Sequence, residues 1–462
     1  MRVLLVSTYE LGHQPVHVAS PAAALRRRGH DVAALDLSVQ PWDPELVAWA
    51  SAVAFSVPMH TAMRLALAAA TAARHQRPEL PVCFYGLYAA VSADATLRAV
   101  ADRVIAGEYE PALLAWVDGL PARGAASPAP AADTRPIVHL GRSDFDVPAR
   151  DLLPPLERYA HLAVDGEERL VGAVEASHGC ASRCRHCPVP TVYDGRIRVV
   201  GPEVVVADIA QLVAAGARHI TFADPDFLNG VHHSRRVVAA MHERFPELTF
   251  DCTTKVELIL RHRGLWGSMA AAGCLFVVSA LESVNDAILA RLDKGHTAAQ
   301  AAEAIGVLRD HNIEVRPSFL PFTPWTTPAD LVDLVDFVAA HDLIANVDPV
   351  QYTIRLLVPE GSLLVDHPDM APHLGSYDAE RLSYSWTAAD RRVDELQAQL
   401  AEQVQAGLDA GEPAASLYLA VSRAVRQAAD PGAAGAADPG EGELIAAGST
   451  QGRPRLTEPW FC

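Results

Sequence analysis

Residues 171–188 read V-G-A-V-E-A-S-H-G-C-A-S-R-C-R-H-C-P, an apolar run of strand length followed by Cys180, Cys184 and Cys187 in C-x3-C-x2-C spacing. Soft thiolates select iron–sulfur clusters or zinc, but structural zinc sites close with four ligands, usually as two separated pairs, and no second pair is evident here. Three thiolates on one loop can instead hold three irons of a [4Fe-4S] cluster and leave the fourth iron open to a substrate or cofactor. A cysteine stripe packed inside a helix fits poorly, because Gly179, Arg183, Arg185 and Pro188 surround the three thiols.

Downstream of this loop, strand-like runs recur at 219–223, 249–253, 275–279, 314–320 and 350–357, separated by helix-length segments at 202–215, 234–244, 265–272, 298–310 and 328–341. Six such strands with intervening helices predict a full or partial barrel, with its chemistry at the carboxyl ends of the strands. Upstream, apolar runs at 3–6, 31–37, 52–57 and 82–85 alternate with helical spacing, which predicts a parallel sheet whose ligands bind near 7–17, 56–60 and 86–89. No G-x-G-x-x-G occurs, which disfavours a dinucleotide. The expected fold class is α/β: an N-terminal Rossmann-like parallel sheet domain, a partial (β/α)6 TIM-type barrel, and a mostly helical or irregular C-terminal extension. The expected boundaries are 1–120, a Pro/Ala-rich linker at 121–136, a connecting segment at 137–169, the barrel at 170–370 and the extension at 371–462.

At 462 residues, 50% hydrophobic and 20% charged, the chain is long enough for several domains and is globular in composition. A net charge of −18 disfavours nucleic-acid phosphates and anionic lipid, so a small-molecule or peptide substrate is expected, with no nucleic acid and no membrane. No apolar run approaches a membrane span and the first residues lead straight into a strand, which predicts a cytoplasmic protein. Only Lys255 and Lys294 are lysines among 38 basic residues, so both invite attention.

The cysteine spacing after the first barrel strand resembles that of the radical S-adenosylmethionine (SAM) enzymes. That resemblance implies a [4Fe-4S] cluster on Cys180, Cys184 and Cys187, with SAM chelating the open iron and a reductant such as flavodoxin or ferredoxin supplying the electron. Cleavage would yield methionine and a 5′-deoxyadenosyl radical. His186 stands where the family usually has an aromatic residue, and its ring can still stack on adenine. Asp224 and Asp226 end the second strand, where the family accepts hydrogen bonds from the cofactor ammonium, and either acid can serve. Lys255 ends the third strand, where it can neutralise the cofactor carboxylate. Glu282 and Ser283 end the fourth, resembling a G-x-E-S segment near the methionine or ribose. Taken singly, each strand-end acid also reads as a helix cap and each cation as a solvated charge.

The amino-terminal domain resembles the cobalamin-binding-type domain fused ahead of many radical SAM enzymes. The Asp-x-His-x-x-Gly segment that supplies a cobalt ligand is not seen, and His13 and His17 lack its spacing, so cobalamin and a substrate-docking role both stay open. Segments at 57–64, 106–110, 354–362 and 457–462 resemble the CUAEP/CCAEP-tail radical SAM proteins. That likeness implies a recorded product stopping at Cys462, the first tail cysteine, with a selenocysteine codon read as stop. Three functions follow as alternatives: SAM cleavage acting on an unknown substrate, cobalamin-dependent methyl transfer, and a noncatalytic iron–sulfur redox or metal sensor.

Overall fold

A computed structural model describes residues 1–92, 100–121, 136–141, 144–430, 432 and 453–458. Most of the expected linker at 121–136, the low-complexity stretch after 432 and Cys462 lie outside the described residues.

The first six strands are β1 (Arg2–Ser7), β2 (Asp31–Asp36), β3 (Ala52–Ser56), β4 (Val82–Tyr85), β5 (Arg103–Gly107) and β6 (Ile137–His139). They form one parallel sheet in the order β2-β1-β3-β4-β5-β6. Val3–Val6 are fully buried because helices cover both faces, which is why the strand reads as a continuous apolar run rather than an alternation. The order reverses beside β1, so the crevice for a ligand opens at the carboxyl ends of β1 and β3. The segment at 137–169 differs from a plain connection. Its first residues supply β6, and β7 (His161–Val164) belongs to the second sheet. Both strands are short: β6 pairs with β5, matching Ile137 to Ile105, and β7 turns directly into the next strand, matching Val164 to Glu167.

The second sheet runs β14-β13-β12-β11-β8-β7-β17, where β8 is Glu167–Val174, β11 His219–Phe222, β12 Thr249–Thr253, β13 Cys274–Glu282, β14 Glu314–Phe319 and β17 Arg455–Leu456. Strands β8 and β11 to β14 pair in parallel, and β7 and β17 add antiparallel edges. Between β8 and β11, β9 (Ser177–Gly179) and β10 (Ile197–Val199) make a separate antiparallel pair. Side chains two residues apart face the same side: Asp251 and Thr253, Phe276 and Val278, and Arg316 and Ser318 point into a central cavity. Their neighbours Phe250, Cys252 and Val277 pack with the helices in the larger core. The inward faces converge on one cavity, so the sheet is curled into a partial barrel.

The sixth unit departs from the strand expected at 350–357. Pro349–Thr353 is a 3-10 helix, and only an isolated bridge joins Phe322 to Arg355. Pro349 has no N–H to donate to a ladder, and the Gln351 side chain substitutes by accepting from Phe319 N at 3.0 Å. The carboxyl-terminal region packs helices Arg391–Asp409 and Ala414–Ala429 on the barrel, beside a hairpin of β15 (Leu374–Asp378) and β16 (Ser383–Trp386). It then returns to the barrel edge as β17. Among the described residues, no helix is long and apolar enough to cross a membrane.

Arg150 ties the two domains together. It is 7% exposed and donates to Asp208 at 2.9 and 2.8 Å, to the Ala173 carbonyl at 2.6 Å and to the Gln14 carbonyl at 3.2 Å. One guanidinium therefore binds the first loop of the amino-terminal sheet, the first parallel barrel strand and the helix Pro202–Ala214.

Candidate iron–sulfur and cofactor site

The cysteine loop starts where β8 ends and is turned by Gly179. At φ +76°, a Cβ there would lie 2.3 Å from the Arg196 carbonyl and 2.6 Å from the Tyr193 ring, so only glycine fits. Loop peptides are then pinned individually: Ala181 N donates to Asn229 Oδ1 at 3.2 Å, Arg185 N to the Leu292 carbonyl at 2.9 Å, and Ser182 N to Cys180 Sγ at 3.4 Å. Cys180 and Cys184 are buried, Cys187 is half-buried, and all three are free thiols. Burial pushes the Cys187 thiol up to about 12, a proton that iron must displace. Among the described residues no three His, Cys, Asp or Glu side chains crowd closely enough to hold a single ion. A cubane, which takes one iron per thiolate, asks instead for cysteines spread around its corners. This donor set fits it.

Both lysines of the chain come to this loop. Lys255 Nζ donates to Ser182 Oγ at 3.0 Å, and buried Lys294 Nζ donates to Glu282 Oε1 at 3.1 Å. Burial opposes charge on Glu282, but Lys294 and His186 outweigh it and hold the carboxyl well below the usual range. His186 Nε2 meets Glu282 Oε1 at 3.0 Å, leaving His186 Nδ1 buried without a partner. Glu282 reaches this position because the β13–β14 register slips between Ala280 and Glu282, and Glu282 itself sits at φ +62°. Ser283 Oγ accepts from Asn285 N at 3.1 Å, beside that bulge. Lys294 stands out in the sequence by its rarity and by following the fourth-strand segment at the family's usual distance; its pairing with Glu282 across the helix Asp286–Leu292 is visible only in the structure.

The two acids after β11 have separate placements. Asp224 is buried, accepts from Ala176 N at 2.9 Å and Ser177 Oγ at 2.6 Å, and lines the barrel cavity. Burial lifts its carboxyl to about 7. Asp226 accepts from Thr254 Oγ1, Leu228 N and Lys255 N, capping the short helix Phe227–Gly230 and fixing the backbone of Lys255. The cap reading therefore describes Asp226, and Asp224 is the acid that lines the barrel cavity.

A second cluster lies between the domains: Glu108 and Tyr109 fall in the segment 106–110 noted above for its family resemblance, but no spacing in the sequence joins them to His17, Glu175 and His178. Tyr109 OH lies 2.8 Å from His17 Nδ1, and His17 Nε2 lies 3.3 Å from Glu175. Glu175 in turn meets His178 at 3.2 Å, and His178 Nδ1 meets Glu108 at 3.1 Å. Tyr193 OH donates to Glu108 at 3.0 Å. His17, Tyr109, Glu175, His178 and Tyr193 border a cavity of about 180 Å³ at the carboxyl edge of the first sheet, with Glu108 buried behind them. A barrel cavity of about 230 Å³ shares Leu11, His13, Ala223 and Pro225 with it, so the two spaces meet. Burial holds His13 neutral, down to about 4, leaving an uncharged imidazole at the junction. An uncharged imidazole and carboxyl-edge loops at the sheet's switch point fit a corrinoid.

Burial would push His17 down, but Glu175 and Glu10 outweigh it and raise it to about 9. Between pH 6.5 and about 9 the folded state then binds the extra proton, so stability is full below that window and falls as pH rises through it. Chemical denaturation should show a loss of about 2 kcal/mol across the window, allowing for the ring's partly solvated edge. His17→Phe should lessen that slope, with His178, raised by Glu108 and Glu175, supplying the rest; an unchanged slope would remove His17 as a source.

A parallel-sheet domain set ahead of a partial barrel, whose first parallel strand opens into a three-thiol loop, defines a class of two-domain iron–sulfur protein. Residues 174–338 match the Radical SAM superfamily and residues 2–117 match the B12 binding domain. The chain thus carries a Radical SAM superfamily domain and, ahead of it, a B12 binding domain. Among curated relatives, the hopanoid C-3 methylase of Methylococcus capsulatus is 22% identical over 333 residues, covering 68% of this chain and 62% of the methylase. The chain thus spans about three-fifths of that relative's length. Among solved structures, the cobalamin-dependent SAM radical enzyme OxsB with aqua-cobalamin and SAM bound aligns with a TM-score of 0.67 at 13% identity, covering 96% of this chain and 70% of that one. The radical SAM methyltransferase TsrM from Kitasatospora setae, with cobalamin and a [4Fe-4S] cluster bound, aligns with a TM-score of 0.57 at 18% identity, covering 74% of this chain and 70% of that one. At these identities both likenesses show a shared fold.

Proposed function

We propose that the protein is an enzyme that reductively cleaves SAM at a [4Fe-4S] cluster held by Cys180, Cys184 and Cys187 and acts on a small-molecule or peptide substrate. The observation that carries this is the loop of three free thiols at the end of the first parallel strand of the barrel. When bound, the reduced cluster supplies the electron that splits SAM into methionine and a hydrogen-abstracting 5′-deoxyadenosyl radical. The remaining work belongs to the chain. Asp224 would accept from the SAM ammonium, and Lys255 would face its carboxylate. Asp226 would serve the same site by holding Lys255. His186 would stack on adenine through a ring steadied by Glu282, with Ser283 beside the ribose. Lys294 offsets negative charge at the cysteines. The barrel walls and the amino-terminal loops exclude water from a reactive intermediate.

Anaerobic reconstitution with iron and sulfide, then SAM and dithionite, should release 5′-deoxyadenosine. Iron-loaded protein that releases none would leave a redox or metal sensor in its place. In the cell, a flavodoxin- or ferredoxin-type donor in the cytoplasm would replace dithionite.

A second reading, cobalamin-dependent methyl transfer, is favoured by the meeting of the switch-point crevice with the barrel cavity at His13. A corrinoid held in the crevice would face the barrel ligand across that junction. Stoichiometric cobalt retained after reconstitution with hydroxocobalamin, and a methylated product, would establish it. A cobalt-free protein with full activity would exclude it.

A further inference from the structure

Five parallel strands leave a barrel open on one side, between the outer edge of β8 and the edge of β14. Residues 453–458 cross that gap. At one lip, β17 pairs with β7, matching Arg455 to Ala163 and Leu456 to Leu162, and Thr457 N donates to the His161 carbonyl at 2.8 Å. At the other lip, Arg453 donates to the Asp342 carbonyl at 2.7 Å and bonds Asn346, which itself donates to the Val315 carbonyl of β14 at 2.9 Å. Between these anchors Leu456 packs with Leu162, Val171, Phe276 and Val278 inside the barrel.

Glu458, in the same segment, lines the barrel cavity. Tyr9 OH donates to Glu458 Oε1 at 3.2 Å, and the Glu458 side chain lies against Gly12, where a Cβ would come within 2.6 Å of its Cγ. Gly12, at φ +70°, leaves the space this carboxylate occupies. Among the described residues no cation pairs with Glu458. Among the described lining residues the one guanidinium, Arg316, has its charge paired with Asp348 at 2.9 Å while its Nη1 has no partner, and Asp251 is already bonded by His219 and Thr221. A carboxylate in a partly enclosed cavity without a counter-charge favours a ligand that brings one.

We infer that residues 453–458 form a strap closing the lateral opening of the barrel, and that Glu458 on this strap binds substrate and selects one bearing an ammonium group. The inference rests on the SAM-cleaving reading for what the cavity is used for. Glu458 and Asp224 line the same cavity of about 230 Å³, so the substrate shares it with the ammonium end of SAM and takes the part beside the strap.

The test uses the reconstituted full-length holoenzyme with SAM present and two probes of similar size, 2-phenylethylammonium and 3-phenylpropionate, in equilibrium dialysis. Wild type should hold the ammonium at least about tenfold more tightly than the carboxylate. Glu458→Gln should bring the ratio near one. Arg453→Ala, which frees the strap from its second anchor and leaves Glu458 intact, should lower the ratio as well, so a poorly folding Glu458 variant does not decide the matter. Iron content on each variant reports retention of the fold. A wild-type ratio near one, neither probe held, or a ratio unmoved by both substitutions overturns the inference. Release of 5′-deoxyadenosine from the same wild-type sample judges the underlying reading separately: a sample that makes it without preferring the amine fails the strap alone.

Discussion

Cys184→Ala should leave the protein colourless and iron-poor after anaerobic reconstitution, with 5′-deoxyadenosine formation lost. Each loop thiolate is expected to hold one iron of the cubane, and two thiolates cannot hold a cluster that already leaves one iron without a protein ligand. Substitution of outer-shell partners alone typically costs about ten- to a hundredfold in metal affinity, so losing a direct ligand should exceed the upper end of that range. The loop's peptide anchors, Ala181 on Asn229 and Arg185 on Leu292, do not involve the thiol. Far-ultraviolet circular dichroism should therefore match wild type while iron is lost. A Cys184→Ala protein with wild-type iron content would show that the cluster sits elsewhere.

Arg150→Met should destabilise the protein by about 3–5 kcal/mol, the usual cost of removing one partner from a buried ion pair. The side chains of Arg150 and Asp208 are only 6% and 4% exposed, so solvent cannot take over the role of the lost partner. Asp208 would be left charged and unpaired, and the carbonyls of Ala173 and Gln14 would lose their donor. The double variant Arg150→Met/Asp208→Leu should recover part of the loss, because the orphaned charge is gone with its partner. Denaturant titration of the two single variants and the double measures both effects. A cost under about 1 kcal/mol for Arg150→Met would place the pair among weak surface contacts.

Much of the site was legible because its signal is local. Three soft ligands within eight residues carry their chemistry in their spacing, and the strand-end positions of Asp224, Lys255, Glu282 and Ser283 follow from apolar runs that stop at polar residues. The same locality explains what was misread. A proline and a glutamine turned the run at 350–357 into a 3-10 helix with a side-chain bond in place of a ladder. Residues 137–139 and 455–456 are too short to read as strands without their partners. Asp224 and Asp226 looked equivalent because they sit two residues apart; backbone donors around each decided which one caps a helix and which one faces the cavity.

The order of residues alone determined the alternation of strands and helices in two domains and the thiol loop between a strand and a helix, since hydrophobic period and ligand spacing are properties of neighbouring positions. Only the tertiary structure decided how charges more than fifty residues apart satisfy one another: His17 with Glu175, His178 with Glu108, Arg150 with Asp208, and Glu458 facing the cavity with no cation paired to it among the described residues. A buried charge is tolerated where a partner meets it, and chain order does not reveal which distant partner that is.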